Sequence, residues 1–115
     1  MGDQTTKKII EGRRGGHTEV VIPQGSTLAI QLEGNPATGY AWTADTRDVE
    51  VLDPTGSGFE GEAGPGLTGA FVFTFTARAT GTTAVAFTYR RPWEKGGHID
   101  PAHTYTARVT VSQTV

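Results

Sequence analysis

Phe71-Val72-Phe73-Thr74-Phe75-Thr76 puts a phenylalanine at every second position and a β-branched residue at each position between. A side-chain period of two lays the three rings on one face of an extended chain, and Val and Thr suit the half-solvated face opposite. The pattern repeats on either side of this stretch. Leu28, Ile30 and Leu32 alternate within Thr27 to Glu33, Val85, Phe87 and Tyr89 within Thr83 to Tyr89, and Tyr105, Ala107, Val109 and Val111 within Thr104 to Ser112. Each reads as a strand with one buried face. Weaker strands are predicted at Thr18 to Ile22, Tyr40 to Asp45 and Val49 to Asp53, which brings the total to about seven. Turn residues separate them at Pro23-Gln24-Gly25-Ser26, Gly34-Asn35-Pro36 and Ala79-Thr80-Gly81. No apolar stripe with a 3.6-residue period is long enough for a helix. The expectation is an all-β, immunoglobulin-like antiparallel β-sandwich, with Trp42 on the third strand, where such folds commonly bury a tryptophan.

Length sets the frame for this reading. At 115 residues the chain has room for one domain, and without cysteine its core has no disulfide to assist it. Zero Cys also removes any thiolate nucleophile, redox pair or Cys-ligated zinc. A formal net charge of −2 argues against nucleic acid or an anionic membrane as the main partner. Residues 1–17, with Gly12-Arg13-Arg14-Gly15-Gly16, read as a short tail that is either flexible or adds an edge strand, and residues 18–115 as the folded domain. No apolar run near the start exceeds Ile9-Ile10, so no signal peptide or membrane span is expected there. The compartment is read as cytoplasmic if Met1 is native, and as periplasmic or secreted if the chain is a processed mature domain.

If the seven strands run up and down, their connections alternate between the two ends of the sandwich. The connections around Pro23 to Ser26, Thr46 and Arg78 to Gly81 share one end and are short. Those at Gly34 to Gly39, Pro54 to Thr68 and Arg90 to His103 share the other and hold most of the Gly and Pro. Short turns at one end and long, compositionally distinct loops at the other is how a sandwich presents a binding surface.

In the first long loop, Asn35-Pro36-Ala37-Thr38-Gly39, Pro36 fixes its own φ and holds Asn35 out of the helical region, while Gly39 permits a positive φ at the exit. Taken alone, such a segment is an ordinary tight turn. In the second, Gly64-Pro65-Gly66-Leu67-Thr68-Gly69 satisfies G-x-G-x-x-G. Gly58 to Ala63 reads as loop before it and strand alternation follows, so no helix N-terminus is expected to hold a pyrophosphate. In the third, Arg90-Arg91-Pro92-Trp93-Glu94-Lys95 groups cations, a rigid bend and a large aromatic, and Trp and Arg are the residue types most enriched at interface hot spots. The plainer alternative folds Trp93 back on the sheet end.

Enzymatic readings find little support. His98-x-Asp100-x-x-His103 has a conceivable metal-ligand spacing but reads more simply as a solvated loop, and no metal or cofactor is expected. There is no G-x-S-x-G or H-E-x-x-H, and Glu50, Asp53, Glu60 and Glu62 look like a solvated edge rather than a carboxylate pair in a cleft.

Asn35-Pro36-Ala37-Thr38-Gly39-Tyr40-Ala41-Trp42, Gly64-Pro65-Gly66 and Arg91-Pro92-Trp93 resemble, in order and spacing, the three signature loops of the chagasin family, protein inhibitors of papain-like cysteine proteases. The resemblance spans residues 18 to 115. It implies a non-enzymatic inhibitor, monomeric when free, whose partners are papain and cathepsin L-like enzymes. The first loop would enter the protease cleft near the catalytic Cys–His pair, through Asn35, Pro36, Ala37, Thr38, Gly39 and Tyr40. Gly64, Pro65, Gly66 and Leu67 would lie along the non-primed side, and Arg91, Pro92 and Trp93 would pack on the primed side. Ala37 stands where the family pattern has a hydroxyl residue, so the resemblance carries over no hydrogen bond from that side chain. The alternative is a sandwich module that binds carbohydrate or a non-protease protein through the same loops.

Overall fold

The computed structural model describes residues 7–13, 15–34, 39–61, 69–90 and 104–113. Eight strands follow one another in this part of the chain: β1 Lys7–Gly12, β2 Gly16–Pro23, β3 Thr27–Gly34, β4 Ala41–Thr46, β5 Leu52–Gly61, β6 Gly69–Ala77, β7 Gly81–Arg90 and β8 Thr104–Ser112. They form two four-stranded sheets, ordered β1-β3-β6-β5 and β2-β8-β7-β4.

The period-two reading explains which faces meet. Leu28, Ile30 and Leu32 of β3 pair across the ladder with Phe75, Phe73 and Phe71 of β6, and they face Val85, Phe87, Tyr105, Ala107 and Val109 of the other sheet. Phe73 and Phe75 lie 5.2 and 6.4 Å, centroid to centroid, from Phe87, so a single cluster of rings joins the sheets. Thr82 and Thr88 of β7 and Thr104, Thr106 and Thr110 of β8 face outward, whereas Thr83 lies on the inward face and is buried. Trp42 is buried, as expected for the third strand of such a sandwich.

Three expectations need correction. The sheets are mixed rather than purely antiparallel, because β1 runs parallel to β3 and β2 parallel to β8. The strand count is eight, because Lys7–Gly12 of the lead segment pairs along β3 and buries Ile10. The strand expected at Val49 to Asp53 begins at Leu52 and runs to Gly61, with Val51 and Leu52 closing a turn onto the Asp48 carbonyl. Residues 54–61, assigned above to a loop, therefore extend an edge strand up to the glycine-rich segment, so a strand does precede the G-x-G-x-x-G match. β6, not a helix, follows the match, so its rejection as a nucleotide-binding loop stands on that leg alone. Alternation is absent from β5 because it is an edge with both faces largely solvated. Backbone pairing to β6 holds it, with a bulge between Pro54 and Gly56 where proline cannot donate to the ladder.

The two ends of the sandwich differ. At one, turns are tied to one another through the backbone: Gln24 N–H donates to the Ser112 carbonyl, Gly25 N–H to Ala77 and Arg78 N–H to Val51, each at 2.8 Å. The exposed Arg78–Asp53 ion pair, 2.6 Å, lies here as well. β1 begins at this closed end, with Lys7 opposite Thr27, and β8 finishes there, with Ser112 opposite Pro23.

Candidate functional site

The opposite end carries the three long connections. On one sheet Gly34, the last residue of β3, pairs with Gly69, the first of β6, which pairs with Gly61, the last of β5. On the other sheet Ala41, opening β4, pairs with Arg90, closing β7, and Thr88 of β7 pairs with Thr104, opening β8. The connections 35–40, 62–68 and 91–103 therefore all spring from one end, as the alternation of strand direction requires. A further connection joins them. Because β1 runs with β3 and β2 with β8, the reversal from Gly12 to Gly16 turns at this same end, where Gly15 N–H donates to the Thr104 carbonyl at 2.6 Å and Gly16 N–H to Arg13 at 3.0 Å. This reversal was not anticipated as part of the loop end. Reading Lys7–Gly12 as a strand would have placed it there by parity.

Gly39 and Tyr40 are the candidate site residues among those described. Asn35, Pro36, Ala37, Thr38, Gly64, Pro65, Gly66, Leu67, Arg91, Pro92 and Trp93 lie outside the described residues, as do His98, Asp100 and His103. Gly39 has φ +87°, the positive value expected from its place after Thr38. Tyr40 is half-buried, stacked on Tyr89 with ring centroids 5.2 Å apart and planes at 30°, so its ring faces the sandwich. Tyr89 in turn lies 4.9 Å from the Trp42 ring. Trp42 reaches across the mouth of the loop and donates its indole Nε1–H to the Glu33 carbonyl at 3.1 Å. Gly34 has no room for a side chain: a Cβ there would sit 2.8 Å from Phe71 Cε1 and 3.2 Å from Tyr89 Cε1. Glu33, Gly34 and Tyr89 were not singled out from sequence, and their role is visible only once β3 and β7 are known to flank one loop mouth.

Among the described residues no group of three or more His, Asp or Glu could hold a metal ion. What the described end offers is a set of rigid stems: strand termini in register, a left-handed glycine and a ring stack, on which loops can be held in fixed relation.

An eight-stranded sandwich with its long loops gathered at one end is the architecture of a binding protein that works by surface presentation. Comparison with known proteins narrows that class. The model of the chagasin family peptidase inhibitor I42 matches residues 21–111. Amoebiasin-1 of Entamoeba histolytica is 32% identical over 98 residues, covering 83% of this chain and 91% of amoebiasin-1. Chagasin of Trypanosoma cruzi is 32% identical over 97 residues, covering 79% of this chain and 86% of chagasin. The crystal structure of the cysteine protease inhibitor EhICP2 from Entamoeba histolytica superposes with a TM-score of 0.79 at 25% identity, covering 96% of this chain and all of that one. The chain belongs to the chagasin family of peptidase inhibitors. It is an inhibitor and not an enzyme, and the alternative of a module that binds carbohydrate or a non-protease protein is not favoured.

Proposed function

We propose that this chain is a reversible, tight-binding inhibitor of papain-like cysteine proteases, and that it blocks the active-site cleft with the β3–β4, β5–β6 and β7–β8 connections. The observation that carries this reading is the convergence of all three connections on one end of the sandwich, in a chain that belongs to a peptidase inhibitor family. In this proposal Asn35 to Gly39 form the wedge that enters the cleft. Gly64, Pro65, Gly66 and Leu67 lie against the non-primed side, and Arg91, Pro92 and Trp93 against the primed side.

The mechanism is occlusion. Pro36 restricts the wedge before it meets the enzyme, so less conformational entropy remains to be lost on binding. The flanking loops set its depth, and no peptide bond need lie in line with the protease nucleophile, so the inhibitor leaves intact. An interface of about 1,600 Å² is the size usual for protease–inhibitor pairs. Titration of papain and of a cathepsin L-like enzyme with purified chain tests the proposal. Inhibition is expected to be stoichiometric and reversible, with the chain recovered uncleaved and with serine, aspartic and metalloproteases unaffected. Absence of inhibition of several papain-like enzymes at micromolar concentration would overturn it.

A further inference from the structure

The connection from β3 to β4 crosses between sheets. β3 pairs with β1 and β6, and β4 pairs with β7, so no backbone ladder ties the two stems of this loop to each other. They are held another way. The Trp42 indole N–H donates to the Glu33 carbonyl at 3.1 Å, joining a residue one step inside the end of β3 to a residue one step inside the start of β4. Tyr89, on the neighbouring strand β7, packs against both stems at once. Its ring stacks on Tyr40 and leans on Trp42 on the outbound side, and on the inbound side its Cε1, together with the nearer Phe71 ring, takes up the space a side chain at Gly34 would need. Gly34, the last described residue of one stem, and Tyr40 of the other thus both border the Tyr89 ring, with Phe71 as the nearer neighbour of Gly34.

A phenylalanine could fill much of the volume of Trp42 in the core, but it has no N–H. A tyrosine at position 40 aimed at a partner would leave its ring exposed, yet Tyr40 is half-buried against Tyr89. We infer that Trp42, Tyr89 and Tyr40 form a strap that sets the separation and angle of the loop stems, and that Trp42 and Tyr40 act on protease binding as positioning residues. The inference rests on the proposal that residues 35–39 enter the cleft. It assigns Tyr40 a different task from direct contact. A wedge on unstrapped stems samples more arrangements, and the bound one must be selected from them at an entropic cost.

Trp42→Phe tests the N–H, with Val109→Ala as a control. Val109 is fully buried on β8, well along the strand from the loop end, so its truncation lowers stability without touching the strap. Trp42→Phe is expected to raise Ki for papain at least tenfold, through a less favourable binding entropy, whereas Val109→Ala inhibits as the parent does even if its Tm falls as far. Should Trp42→Phe fail to fold, Tyr40→Leu, which removes the stack at a half-buried position, is expected to give the same tenfold entropic loss. Equal inhibition by parent and strap variants, or a loss that merely follows Tm in the control as well, overturns the inference. Amide exchange in the free protein reads the strap without any protease: Trp42→Phe should speed exchange at Gly39, Tyr40 and Ala41 while β6 and β8 stay protected, and unchanged exchange there also overturns it. A parent chain that does not inhibit papain but shows this exchange pattern would refute the proposed function and leave the strap standing.

Discussion

Gly39 holds φ +87°, a left-handed backbone that costs an L-residue roughly 1–2 kcal/mol and a β-branched one more. Gly39→Val is therefore expected to weaken protease inhibition by an order of magnitude or more, with a small drop in Tm, and a Ki equal to the parent's would contradict the account of this loop. The two tryptophans should separate cleanly. Trp42, 4% exposed, is a core residue whose truncation to alanine is expected to cost about 3–5 kcal/mol of stability, as large core truncations do. Trp93→Ala, by contrast, is expected to leave the melting curve nearly unchanged while weakening protease binding by about 2 kcal/mol, mainly through faster dissociation. Thermal melts paired with dissociation rates check both. Gly39 and Trp42 were legible in the sequence because a glycine after a stiff loop and a tryptophan on a third strand have few other uses. Tyr40 was not, because a ring beside a binding loop can face either way and only the position of Tyr89 decides.

At the scale of elements, what could be read followed burial on one face. β3, β6, β7 and β8 alternate because each is half-buried, and they appeared in the sequence within a residue or two of their ends. β5 did not. Gly56, Gly58 and Gly61 leave it without the side chains that would show a period, and its pairing to β6 is a backbone matter invisible to hydrophobic patterning. β1 was obscured for a related reason: of its six residues only Ile10 is buried, so one inward side chain had to speak for a strand. That side chain is expected to matter. Ile10→Ala should cost about 2 kcal/mol in a urea melt, the low end for such truncations because an edge strand can relax around the gap. The Arg78–Asp53 pair is the contrasting case. Its side chains are 59% and 31% exposed, so Arg78→Ala should change stability by less than about 1 kcal/mol.

Across the whole molecule, one ring-rich core spans both sheets, which predicts a single cooperative unfolding transition with coincident fluorescence and circular dichroism midpoints. The closed end, tied through Gln24, Gly25, Ala77, Arg78 and Ser112, lies at the far side of that core from the candidate site. Gln24→Ala and Arg78→Ala should accordingly leave Ki for papain unchanged. The start of β1 and the finish of β8 both lie at that closed end. Lys7 and Ser112 are therefore attachment points on the end of the sandwich opposite the loops. The domain can be anchored to a bead, displayed on a particle or strung in tandem by either terminus, with its inhibitory surface still pointing into solution.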